Sequence, residues 1–158
     1  MAKFLIIVGT TKGNALAAAK GAGAILTKLG HSIEIALEPN TKDLIRDSSE
    51  ILLACCSTTG KGELPENLYP VYLALENQQV DLHNRYYGVI ALGDSYFPPS
   101  QFAMGGISFE NSLYICGAKR IGDIGFMDAQ QVENYPLAAA LWTQEWLKKI
   151  PATTDTIV

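Results

Sequence analysis

Three continuous apolar runs constrain this chain more than anything else in it: "KFLIIVG" from Lys3, "EILLACC" from Glu50 and "YYGVIALG" from Tyr86. A strand with one wet face alternates apolar and polar residues, whereas a strand covered on both faces reads as an unbroken apolar run. Helix signals fill the gaps. "GNALAAAKGAGAILTKLG" places Leu16, Gly23, Leu26 and Leu29 near one face, with Gly30 as a stop. "NTKDLIRD" is a short helix or turn, and "NLYPVYLALENQ" is a helix that tolerates Pro70 in its first turn. "ISFENSLYICG" is a helix stopping at Gly117, and "NYPLAAALWTQEWLKKI" is one with Asn134 as cap and Pro136 in the first turn. "AKRIGDIGFM" is expected as a further buried strand, weakened by two glycines. Only "HSIEIAL" alternates, so it belongs at a sheet edge.

Strands alternate with helices, and no linker, repeat or low-complexity segment interrupts them. The pattern predicts an α/β fold: a doubly wound, five-stranded parallel sheet with helices on both faces. Right-handed crossovers, with the second strand at an edge, select the order 2-1-3-4-5. Residues 1–150 are expected to form a single domain, and 151–158, "PATTDTIV", a loose tail.

The chain is 48% hydrophobic and carries a formal net charge of −4, a globular balance that argues against a nucleic-acid backbone as partner and favours a basic docking partner. No apolar run approaches the ~20 residues needed to cross a membrane. "MAKFLIIVG" is too short for the core of a signal peptide, so a cytoplasmic location is expected. Cys55, Cys56 and Cys116 fit that compartment, being odd in number and without C-x-x-C spacing. Cys55 and Cys56 are adjacent, so they should face opposite sides of their strand. His31 and His83 are isolated, and no metal site is expected.

In open parallel sheets, ligands bind beyond the carboxyl ends of the strands, near the point where the strand order reverses. The loops that fall there read "GTTKGNA", "STTGKGELP" and "GDSYFPPSQFAMGG". In the first, Thr10, Thr11, Lys12, Gly13, Asn14 and Ala15 open a helix, where hydroxyls, a cation and backbone N–H groups can cradle a phosphate. A plain capped turn is the alternative. It is not a Walker loop, because Lys12 precedes Gly13, and "GAGAIL" is not a dinucleotide fingerprint, because it lies inside a helix and lacks a third glycine. In the second loop, Gly60 and Gly62 flank Lys61 and let the backbone approach a flat ring, while Ser57, Thr58 and Thr59 offer hydroxyl donors. In the third, Tyr96, Phe97 and Phe102 either roof the core or stack on a planar ligand. A phosphate at one end and a flat ring at the other describe flavin mononucleotide (FMN), which fits all three loops.

With these residues in view, the chain resembles the short-chain flavodoxins, of the MioC and YqcA type. "VGTTKGN" is similar to their phosphate loop, "STTGKGELPENL" to their ring-edge loop and "GVIALGDSY…FAMGG" to their ring-stacking loop. The resemblance covers Lys3 to about Ile150 and implies a flavodoxin-like fold. It adds Leu92, Gly93, Asp94 and Ala103 to the cofactor contacts, with either Tyr96 or Phe97 as the stacking ring. It implies a non-enzymatic carrier of single electrons, passing them through FMN from a flavodoxin-reductase-type donor to acceptor enzymes. Docking would use an acidic rim of Glu63, Glu66, Asp94 and Asp128, and a monomer is expected. In the family, the peptide after the first loop glycine, here Gly60–Lys61, turns so that its carbonyl meets the flavin N5.

There are departures. Lys12 stands where the family usually has Thr, Ala15 where it has Ser or Thr, and Lys61 where an acid is frequent; the third loop is longer around "PPSQ". The missing hydroxyls leave a flavin-free binding module as one alternative. Another is an NAD(P)H-dependent quinone or azo reductase of the same fold. A phosphoacceptor module needs acids where Gly9-Thr10 and Cys56-Ser57 stand.

Overall fold

The computed structural model describes residues 1–151; the expected tail therefore lies, Pro151 apart, outside the described residues. The elements are β1 (Lys3–Gly9), α1 (Asn14–Lys28), β2 (Ser32–Ala36), α2 (Thr41–Ile45), β3 (Glu50–Cys56), α3 (Tyr69–Glu76), β4 (Tyr86–Gly93), α4 (Met104–Ile115), β5 (Lys119–Arg120), β6 (Gly125–Asp128) and α5 (Tyr135–Leu147). All strands pair in parallel in the order β2-β1-β3-β4-β5, with β6 also on β4. The expected order therefore holds, and the alternating strand, β2, is at the edge.

Side-chain alternation along the buried strands builds two cores. Leu5, Ile7, Leu52, Ala54, Cys56, Tyr87, Val89 and Ala91 face one side, with α3 and α4 residues such as Leu75, Phe109 and Leu113. Phe4, Ile6, Val8, Ile51, Leu53, Cys55, Ile90 and Leu92 face the other, with α1 and α5 residues such as Ala18, Leu26, Ala139 and Trp146. Cys55 and Cys56 thus point to opposite faces, both fully buried. Removal from water pushes the Cys55 thiol up to about 12.

Three expectations change. First, the last strand is not one continuous buried run but two short strands, so the sheet has six. Lys119 and Arg120 pair with Tyr86 and Tyr87, Gly125 pairs with Ile90, and residues 121–124 form an irregular link between them. Lys119, Arg120 and Phe126 are exposed, because this strand is an edge with a wet side. Second, the buried face of α1 is small: Ala15, Ala18, Ala19, Gly21, Ala22, Gly23 and Leu26. Leu29 is 50% exposed, just past the helix end. The small face lets α5 sit close, since a Cβ on Gly21 would lie 2.1 Å from the Pro136 carbonyl oxygen. Third, α4 begins at Met104, earlier than its apolar pattern suggests, and α3 is preceded by a 3-10 turn, Glu66–Leu68. The cap of the last helix holds: Asn134 Oδ1 accepts the Leu137 N–H at 3.0 Å.

Candidate functional site

β1, β3 and β4 end side by side at Gly9, Cys56 and Gly93, and the three unusual loops leave from these ends. They enclose a cleft of about 440 Å³. Thr11, Lys12 and Asn14 line it from the first loop, Ser57, Thr58, Thr59 and Gly60 from the second, and Leu92, Gly93, Asp94 and Phe97 from the third.

At one end, the first loop is a turn closed by its own hydroxyl: the Gly13 N–H donates to Thr10 Oγ1 at 2.9 Å. Gly13 then precedes α1 in the left-handed region, at φ 98°. Among the described residues, the N–H groups of Thr11, Lys12, Asn14 and Ala15 meet no acceptor. Such free donors at a helix start carry a partial positive charge and suit an anion. Lys12 is the only cation lining the cleft among the described residues, so charge and amides converge there.

The middle loop is a tight hairpin. Thr59 and Glu63 exchange two backbone bonds, at 2.8 and 2.7 Å, which leaves Gly60, Lys61 and Gly62 at the tip. Gly60 has φ 53°, and a Cβ there would lie 2.8 Å from the Glu63 carboxylate. Two of the three hydroxyls expected to meet a ligand are already committed. Ser57 Oγ donates to the Gly9 carbonyl at 3.1 Å. Thr58 Oγ1 donates to the Leu92 carbonyl and accepts the Gly105 N–H, each at 3.0 Å, tying β3, β4 and α4 together. Gly105 is needed there, since a Cβ would sit 2.3 Å from the Ser57 carbonyl oxygen. The Thr59 hydroxyl has no partner among the described residues.

The third loop separates its aromatics. Phe97 lines the cleft and is 48% exposed; Tyr96, 78% exposed, stands outside it with its ring edge-on to Phe97 at 5.3 Å. Phe102 packs toward Phe126, centroids 6.0 Å apart, and so belongs to the roof. Ala103 is fully buried at φ 55°, an uncommon conformation for a residue with a Cβ, and precedes α4. Thr10, Gly13, Ala15, Lys61, Gly62, Tyr96, Phe102 and Ala103 therefore do not line the cleft themselves. Asp94 and Asp128 order the rim: Asp94 Oδ1 accepts from the Tyr96 N–H and Gln130 Nε2, and Asp128 Oδ1 from the Ser95 and Gln130 N–H groups. The Ser95 side chain, with the Ser95 and Gln130 amides, holds the Asp128 carboxyl below the usual range.

Gln101, within the third loop, and Ala129 and Tyr135, outside all three loops, also line the cleft. Desolvation, with Asp94 and Asp128 nearby, raises the Tyr135 phenol. Asn67 carries no local signal beyond its place near a helix start. Its side chain reaches three remote backbone groups: Oδ1 accepts the Thr10 N–H at 3.0 Å, and Nδ2 donates to the Val8 and Leu37 carbonyls at 2.6 Å. Among the described residues, no group of His, Cys, Asp and Glu could hold a metal ion, and no helix is long and apolar enough to cross a membrane.

The family model described as Flavodoxin matches residues 6–142. Flavodoxin YqcA of Pectobacterium carotovorum is 36% identical over 96% of this chain and 99% of its own. Flavodoxin YqcA of Escherichia coli (strain K12) is 34% identical over 92% and 97%. Among solved structures, a cysteine-to-alanine mutant of a flavodoxin from Pseudomonas aeruginosa superposes with a TM-score of 0.84 at 30% identity, covering 94% of this chain and 98% of that one. Match, length and sheet order agree: the chain belongs to the flavodoxins, a family of small electron carriers that bind FMN.

Proposed function

We propose that the cleft at the carboxyl ends of β1, β3 and β4 holds FMN with its phosphate on the first loop and its ring between the second and third. The observation that carries this is that Thr11, Lys12 and Asn14, whose N–H groups meet no acceptor among the described residues, line one end of a cleft of about 440 Å³ together with the Lys12 cation. A cleft of that volume suits a ligand of this size. The residues present therefore fit the cofactor, although two of the expected hydroxyl contacts are spent inside the protein.

When bound, FMN supplies the one-electron chemistry; the chain supplies binding and orientation. Free amides and Lys12 neutralise phosphate charge. Gly60, at the hairpin tip, presents backbone to the ring edge, and Phe97 offers a planar wall. Glu63, Glu66, Asp94 and Asp128 stand in or beside the loops at this end, as an acidic rim for a basic face on a flavodoxin-reductase-type donor and on acceptor enzymes. The chain works as a monomer in the cytoplasm.

The test is direct. Protein purified in native buffer should be yellow or take up FMN stoichiometrically from solution, with quenching of flavin fluorescence, and should accept electrons one at a time. A colourless protein that fails to bind FMN in titration would sink the proposal. Rapid bleaching of the bound flavin by NADPH alone would point to the reductase alternative instead.

A further inference from the structure

The peptide unit joining Gly9 to Thr10 is held at both of its polar ends. Its carbonyl accepts from the Ser57 N–H at 2.9 Å and from Ser57 Oγ at 3.1 Å. Its N–H donates to Asn67 Oδ1 at 3.0 Å. The same Asn67 amide donates to the carbonyls of Val8, one residue earlier on β1, and of Leu37, just past β2. Oδ1 thus faces a donor and Nδ2 faces two acceptors; the reverse orientation would satisfy none of the three.

We propose that Asn67 is a positioning residue for the phosphate end of the cleft: by fixing the plane of the Gly9–Thr10 peptide, it aims the free N–H groups that follow at the anion. The inference rests on the FMN site proposed above. Its logic is mechanical. Asn67 spends the Thr10 N–H on itself and so removes that group from anion binding. With the peptide plane set, Thr10 Oγ1 lies where the Gly13 N–H can reach it, and the turn closes. The N–H groups of Thr11, Lys12, Asn14 and Ala15 are then left unpaired together among the described residues. Preorganised donors bind an anion without first giving up conformational freedom. Ser57 opens the ring-edge loop and Asn67 follows it, so both ends of that loop are bolted to the phosphate loop.

The experiment compares FMN with riboflavin, which lacks the phosphate, in Asn67→Leu and Asn67→Ala proteins. Both variants lose the three bonds, and both should be less stable. Positioning predicts something a purely structural role does not: the FMN dissociation constant rises about tenfold or more, while that of riboflavin changes little, so the preference for FMN shrinks. Equal losses for the two ligands overturn the inference, as does an unchanged FMN constant. A second measurement needs no variant. In flavin-free wild-type protein, the Thr10 amide should exchange with solvent deuterium slowly while the Thr11 and Lys12 amides exchange fast; adding FMN should then protect the latter two. A Thr10 amide as unprotected as Thr11 also overturns it. Failure of the wild-type chain to bind FMN at all would instead strike the parent function, and this inference with it.

Discussion

Thr58 is the best single place to test how the cleft is built, because one hydroxyl joins two strand ends and a helix start. Thr58→Val keeps the shape and removes the oxygen. It deletes two hydrogen bonds of 3.0 Å, to the Leu92 carbonyl and from the Gly105 N–H. Leu92 is 4% exposed and Gly105 is buried, so water reaches neither group freely. Each lost bond costs about 0.5–1.5 kcal/mol, and a buried donor left unmet costs about 1–3 kcal/mol, so the expected loss is about 2–4 kcal/mol. Against a typical total of roughly 5–15 kcal/mol that is a large fraction. Thr58→Ser keeps the oxygen and loses one methyl, for about 1 kcal/mol. Urea unfolding of the flavin-free proteins, followed by far-UV circular dichroism, measures the difference as a change in midpoint at constant slope. If Thr58→Val and Thr58→Ser unfold at the same urea concentration, the hydroxyl does not tie β3, β4 and α4, and their ends are held together by packing alone.

Other outcomes follow from the same geometry. Lys12→Ala should weaken FMN binding more than Lys61→Ala, since Lys12 lines the cleft and Lys61 does not; equal dissociation constants in a fluorescence titration would refute this. The three cysteines should resist a thiol reagent at pH 8 in the native protein and react fully once it is unfolded, because burial raises their thiols; prompt native labelling of Cys55 or Cys56 would contradict the packing of β3. The Asp128 carboxyl is held below its ordinary value, so its contribution to rim order is complete above the unfolded value of about 4 and is lost as pH falls through the lower folded one. Asp128→Asn should therefore flatten the acid limb of the stability profile, measured by thermal unfolding across acid pH. An acid limb identical to wild type would show that the Ser95 and Gln130 bonds do not order the rim.

What the sequence reveals and what it hides have physical reasons. β1, β3 and β4 are legible because burial on both faces leaves no polar position inside the run, and the sheet order follows from one alternating strand at the edge. The opposed thiols of Cys55 and Cys56 follow from the two-residue period alone. Loop membership of the cleft is legible for the same topological reason, but the roles of single side chains are not. Ser57 and Thr58 read as ligand donors, yet their hydroxyls meet the Gly9 and Leu92 carbonyls, far away in sequence. Asn67 reads as a helix-start residue, and its partners are 30 to 59 positions distant. Tyr135 reaches the cleft only because α5 packs on α1. The choice between Tyr96 and Phe97 depends on the path of the loop, which puts Phe97 inside the cleft.

The broken last strand has a consequence for how the molecule meets its own copies. Five residue steps on it, from Arg120 to Gly125, oppose three on β4, from Tyr87 to Ile90, so two residues are surplus. The carbonyl of Ile121, within this irregular link, accepts the indole N–H of Trp146 at 3.1 Å. An unbroken outer strand would offer a straight row of unpaired amides and carbonyls, a template on which another chain could add its own strand. Here that row is cut short, and Lys119 and Arg120 stand exposed along the remainder. At the opposite edge β2 is five residues long and carries Glu34 in an ion pair with Arg46 at 3.1 Å. Both margins of the sheet thus carry features that work against edge-to-edge strand addition.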